Sequence, residues 1–140
     1  MSELYNDNAI ESFIGKEFEY RATGPDKFDC WTLTEFFLRK NGITIPTQDS
    51  IVDVTLRHLK IVQVEQEHFI KLEKPEKYAI VLFKLKPPMV THMGVVIDDG
   101  IHFLHIMSKR RSCIERLDNI LWSRKIEGFY RYAGTGNTGQ

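Results

Sequence analysis

Residues 78–107 carry three β-rich runs separated by two breaks, and no other stretch restricts the fold as much. Residues 78–86, 91–97 and 101–107 are rich in Val, Ile and Phe, side chains that suit a pleated, half-buried surface. Pro87-Pro88 separates the first two runs, and Asp98-Asp99-Gly100 separates the last two. They read as neighbouring strands of an antiparallel sheet. Further strands are expected over 112–116 and 127–132.

Upstream the pattern is helical. Ile10, Phe13 and Ile14 recur at helical spacing over residues 8–16, with Asp7 or Asn8 as N-cap. Gly24-Pro25-Asp26 is a turn. A second helix is expected over 30–40, with Leu33, Phe36 and Phe37 on one side and Asn41-Gly42 closing it. Residues 46–74 stay divided: Leu56, Leu59 and Val62 suit a helix, whereas Ile61, Val62 and Val64 are β-branched. Helices first and an antiparallel sheet afterwards indicate an α+β fold. The 140 residues form one domain over 1–132, and 133–140 read as a disordered tail from their small, polar content.

Composition removes other classes. Nineteen Lys+Arg against nineteen Asp+Glu leave a net charge of +0, whereas a nucleic-acid binder needs a basic surplus. No apolar run is long enough for membrane insertion. The polar, acidic start is no signal peptide, so synthesis in a reducing cytoplasm is expected. Cys30 and Cys113 lack the number and spacing of a disulfide framework or zinc ribbon.

Cys30 follows Asp29 where a polar loop meets a helix. With Asp29 as N-cap, Cys30 stands in the first helical turn, where unpaired amides and the positive dipole end favour a thiolate. A buried structural thiol is the equal alternative. The histidines depend on hairpin register. A two-residue Asp99-Gly100 turn places Asp98 opposite Ile101, His92 opposite Met107 and His105 opposite Gly94. His92 and His105 then share a sheet face as diagonal neighbours, with Cα atoms roughly 7–8 Å apart. His102 points the other way. A three-residue turn would split the pair, and two ordinary satisfied or exposed histidines are the competing reading.

Taken together, the three residues permit covalent catalysis. Cys30 attacks a carbonyl, His92 takes and returns the proton, and His105 orients the His92 ring. The Cys30 N–H could help stabilise the oxyanion.

Four segments resemble the NlpC-type cell-wall cysteine peptidases, papain-like in arrangement, and particularly their phage-tail branch. Residues 13–33, through Gly24-Pro25-Asp26-Lys27-Phe28-Asp29-Cys30-Trp31, look like the family's nucleophile segment. Thr91-His92-Met93-Gly94-Val95-Val96-Ile97 matches its His-x-Gly strand, and residues 99–105 align His105 with its third polar residue. Gly128-Phe129-Tyr130-Arg131-Tyr132 resembles the last strand of tail-associated members. The resemblance implies a papain-like fold with the nucleophile helix packed on a central antiparallel sheet. It implies Cys30 as nucleophile, His92 as general base and His105 as orienting residue, with Tyr20 beside substrate or oxyanion; Trp31 reads as a core or groove-wall residue and, because it adjoins Cys30, as the better candidate to line the substrate groove. The implied substrate is a peptidoglycan stem peptide, with phage tail proteins as partners, a virion tail as location, and no cofactor. Thr32 and Ala22-Thr23 stand where the family usually has Gly. Thr32 should therefore either narrow the packing of helix on sheet or sit on an outer face.

Rival readings remain. One is a non-catalytic tail assembly module with a vestigial site; another is an acyltransferase using the same chemistry. No metal site is expected, because His102 and His105, three apart on a strand, face opposite ways. His58 and His68 show no ligand pattern. Cys113 reads as an inert strand thiol, Lys109-Arg110-Arg111 as a solvated turn, and Trp122 as a core or groove-wall residue.

Overall fold

The computed structural model describes residues 10–45 and 69–133. Among the described residues the longest helix, α1 (Cys30–Lys40), starts where Asp29 is still extended. The Asp29 carboxylate accepts the Thr32 N–H at 2.9 Å, and the Thr32 hydroxyl accepts the Asp29 N–H at 2.9 Å. This reciprocal box satisfies two N–H groups that a helix start would orphan, and such a cap contributes about 1 kcal/mol. Thr32 therefore takes neither expected position: it is buried, its hydroxyl turned back into the cap and donating to the Ala22 carbonyl. Arg39 and Lys40 suit the negative end, and Asn41 closes the helix.

Upstream, the described part of the expected helix is of another type, a 3-10 turn over Ile10–Phe13, and the N-cap candidates Asp7 and Asn8 lie outside the described residues. Its continuation is lost because the chain turns toward the far end of the domain: the Gly15 N–H donates to the Ser112 carbonyl at 2.9 Å. Phe13 is fully buried against Phe36 and Phe37. Two short parallel strands follow, β1 (Glu17–Phe18) and β2 (Lys27–Phe28).

The main sheet comprises β3 (Phe69–Leu72), β4 (Ile80–Phe83), β5 (His92–Val96), β6 (His102–His105), β7 (Cys113–Arg116) and β8 (Ile126–Tyr132). Its order is β3-β8-β4-β5-β6-β7, with every pairing antiparallel. The described end of the divided segment, β3, is a strand because β8 gives it a partner. Residues 46–68, including His58 and His68, and the tail 134–140 lie outside the described residues. A one-turn helix, α2 (Ile120–Ser123), is capped by the Asn119 side chain. It is too short to leave a periodic signal in the sequence.

Strand β4 is buried on both faces, which explains its uninterrupted apolar run. Ile80 and Leu82 join the core under α1 with Met93, Val95 and Leu104. Val81 and Phe83 join Val96, Phe103, Leu117 and Trp122 on the opposite face. The result is an α+β architecture with the central antiparallel sheet covered by α1. Among the described residues no helix is long and apolar enough to cross a membrane.

Candidate active site

The hairpin register is the one a two-residue turn demands. Val95 pairs with Leu104 and Val96 with Phe103, which sets His105 opposite Gly94 and His92 opposite Met107. Asp98 makes the turn by accepting the Ile101 and His102 N–H groups on one carboxylate oxygen, while Gly100 supplies a φ of +102°. Gly94 has a packing role: a Cβ there would lie 3.0 Å from the Leu104 carbonyl and 3.3 Å from the His105 Cβ. Its absence lets the two histidine-bearing strands close.

His92 and His105 consequently meet. His92 Nε2 lies 2.9 Å from His105 Nδ1, and both rings are buried. His102 turns the other way, to Asp98 at 2.6 Å. The pair is packed by aromatic rings: Phe83 lies 5.4 Å from His92, and Trp122 lies 4.8 Å from His105 and 5.9 Å from His92.

The second nitrogen of His105 determines the proton positions. Nε2 lies 3.4 Å from Glu115 Oε2, and a carboxylate only accepts, so Nε2–H donates. Neutral His105 then presents a lone pair at Nδ1 and accepts the His92 Nε2–H. Neutral His92 then carries its lone pair at Nδ1, so the chain Glu115–His105–His92 selects the tautomer that can take up a proton there. Glu115 was not legible in the sequence as a site residue. The only signal was its place two residues after Cys113, on a strand whose partner is not specified locally.

Burial lowers the His105 pKa from 6.5 to about 4, with Glu115 acting in the opposite direction and Arg110 adding to the fall. The unfolded chain therefore binds a proton that the native state excludes between these values. Stability is fully present above about pH 6.5 and is lost as pH falls toward 4, by on the order of 3 kcal/mol. Denaturant unfolding in chelating buffer should show this loss, and His105→Asn should flatten it. An unchanged profile in that variant would assign the loss to other groups.

Cys30 is the first residue of α1 and is 5% exposed. Helix α1 packs across β5 and β6, the strands that carry His92 and His105. The thiol belongs to the apolar cluster under α1, and the imidazoles stack in the aromatic cluster around Trp122. The seating of α1 on the two strands thus sets their relative position. Asp29 ties in the preceding loop: its second carboxylate oxygen accepts the Arg21 N–H at 2.8 Å, where Arg21 has a φ of 68°. That bond holds Tyr20, a residue 42% exposed, near the start of α1. Trp31, expected beside substrate, is a core residue at 1% exposure. One step along the helix from Cys30, it falls on the stripe that packs on the sheet.

Cys113 is not isolated on its strand. It pairs directly with His105 across β6 and β7, and its Sγ lies 3.7 Å from His105 Nε2. Arg111 in the basic turn donates to the Gly15 carbonyl and pairs with Glu17 at 3.3 Å. With Lys109, Arg110 and Phe18 these residues line a shallow depression of about 310 Å³.

Comparisons with known proteins agree with this architecture. A NlpC/P60 family protein from Bacillus cereus superposes with a TM-score of 0.67 at 22% identity, over 95% of this chain and 40% of that one. NlpC2 from Trichomonas vaginalis gives 0.65 at 19%, over 91% and 45%. A lipoprotein-like NLP/P60 protein from Staphylococcus aureus gives 0.61 at 19%, over 92% and 40%. The chain thus spans less than half of each of these solved chains. A comparison with curated proteins gives no match. The profile of the NlpC/P60 family matches residues 15–131, a span that runs from the loop before α1 into the last strand, and the chain belongs to that family.

Proposed function

We propose that this chain is a cysteine peptidase that hydrolyses amide bonds in peptidoglycan stem peptides, as a component of a phage tail. The 2.9 Å contact between His92 Nε2 and His105 Nδ1 carries the reading, because it leaves His92 Nδ1 as the base in a family whose members are typically cell-wall peptidases. The Cys30 thiol gives its proton to His92 Nδ1, and Sγ forms a bond to the substrate carbonyl carbon. The oxyanion draws on the Cys30 N–H and the positive end of α1. His92 returns the proton to the leaving amine as the C–N bond breaks. Water then attacks the thioester carbon and gives a proton to His92; the C–S bond breaks, the acid leaves, and His92 returns the proton to the Cys30 sulfur. In both imidazolium stages the His92 Nε2–H still meets an acceptor, His105 Nδ1. The tail setting is supported by the Asp29-Cys30-Trp31 sequence and by residues 128–132, which resemble tail-associated members.

The test is digestion of purified peptidoglycan and synthetic stem peptides, read by mass spectrometry. New amine and carboxyl termini should appear, and treatment with iodoacetamide should stop their release. Undiminished release from fully alkylated protein overturns the thiol mechanism. The burial of Cys30 favours one second reading, an assembly module whose site is unused. Under that reading no fragments appear, and Cys30 alkylates no faster than a free peptide thiol.

A further inference from the structure

Among the described residues, one group of three His, Cys, Asp or Glu side chains stands close enough to share a cation: His105, Cys113 and Glu115. Antiparallel register builds it. His105 on β6 sits directly opposite Cys113 on β7, and Glu115, two residues on, shares the Cys113 face. The separations are 3.4 Å from His105 Nε2 to Glu115 Oε2, 3.7 Å from Nε2 to Cys113 Sγ, and 3.9 Å from Sγ to Oε2. Ordinary zinc bond lengths and tetrahedral angles give edges of about 3.4 Å for N···O and about 3.6 Å for both N···S and O···S. The three atoms therefore already occupy three corners of such a site. His105 is buried, whereas Cys113 and Glu115 are partly exposed, leaving the fourth corner to water.

We propose that His105 Nε2, Cys113 Sγ and a Glu115 carboxylate oxygen bind a zinc-like divalent cation, and that its binding silences His92. Imidazole, thiolate and carboxylate together select zinc over magnesium or calcium, which take oxygen ligands. Cys113 releases its thiol proton to water on binding. The orienting hydrogen bond that metal-bound histidines make is also in place, since His105 Nδ1 faces His92 Nε2 at 2.9 Å.

Silencing follows from proton positions and rests on His92 being the base. A cation on His105 Nε2 displaces the proton held there into solvent, and the neutral ring then carries on Nδ1 the proton taken from His92 Nε2 across the 2.9 Å contact and donates it back to that nitrogen, while His92 Nδ1 takes up a proton from solvent. Neutral His92 must then hold its own proton on Nδ1, where it can take none from Cys30. Forming the His92 imidazolium would set two N–H donors against each other across that contact. The same contact that makes His92 a base in the metal-free protein makes it inert in the metal-bound one.

Cobalt(II) tests the site without any peptide substrate. Titrated into the reduced, EDTA-treated full chain, it should bind one to one, with tetrahedral absorption bands and a thiolate-to-cobalt charge-transfer band. Cys113→Ser should lose the charge-transfer band, and Glu115→Gln should bind at least tenfold more weakly. Absence of the band in the wild-type protein, or its persistence in Cys113→Ser, overturns the site. If Cys113→Ser fails to fold, Glu115→Gln decides alone: unchanged affinity overturns it. Silencing is read separately, by iodoacetamide labelling with peptide mapping to distinguish Cys30 from Cys113. Saturating zinc should slow Cys30 labelling at least tenfold in the wild-type protein and leave the rate unchanged in Cys113→Ser. Cobalt binding with zinc-insensitive labelling overturns the silencing. Slow Cys30 labelling in metal-free protein overturns the peptidase reading instead, and the cobalt spectrum still decides the site.

Discussion

On the proposed mechanism Cys30→Ala should eliminate hydrolysis of stem peptides, with a loss of about 10⁴-fold or more, because the thioester forms on the Cys30 sulfur. The substitution removes one sulfur from an already capped first turn. Asp29 and Thr32 still exchange their two hydrogen bonds, so the variant should keep its fold. His92→Ala should cost about 10²–10⁴-fold in turnover, the usual worth of a positioned base, and should slow Cys30 alkylation at neutral pH. His105→Asn separates orientation from base chemistry. An amide oxygen can accept the His92 Nε2–H as His105 Nδ1 does, so this variant should retain far more activity than His105→Ala. Steady-state hydrolysis measures all four variants, and iodoacetamide labelling of Cys30 measures the three histidine variants. Equal losses in the asparagine and alanine variants would remove His105 from its orienting role. Wild-type turnover in Cys30→Ala would end the mechanism.

Trp122→Ala lowers stability by about 3–5 kcal/mol, the range for truncating a large buried aromatic. Trp122 contacts Phe83 at 5.2 Å and Phe103 at 5.7 Å as well as both imidazoles, so its removal opens the whole aromatic cluster. The His105 pKa is depressed chiefly by burial, so it should rise toward its ordinary value once water reaches the ring. Denaturant unfolding gives the first effect and an NMR titration of the imidazoles gives the second. Trp122→Phe should recover more than half of the lost stability. A truncation costing under about 1 kcal/mol would mean that the cluster collapses onto the space.

Features carried by short stretches of chain were legible. Helix α1 begins at Cys30 and ends at Lys40 as expected, because Asp29 and Asn41-Gly42 act within a turn of the residues they cap. The β5–β6 register was also readable, since Asp98-Asp99-Gly100 permits few closures and strand alternation then pairs the histidines. The first helix failed for a reason no window shows: Gly15 bonds to Ser112, almost a hundred residues away. The burial of Trp31 was not legible, because adjacency in sequence to Cys30 says nothing of which helix face meets the sheet.

What the sequence determined by itself was therefore local: a capped cysteine, a hairpin that brings His92 to His105, and an α+β order of elements. The fold alone decided which strand lies beside β6. That pairing set Cys113 and Glu115 against His105, and it closed Trp122 over both rings. Strand neighbours are chosen by burial summed over the whole sheet, a quantity that no single segment encodes.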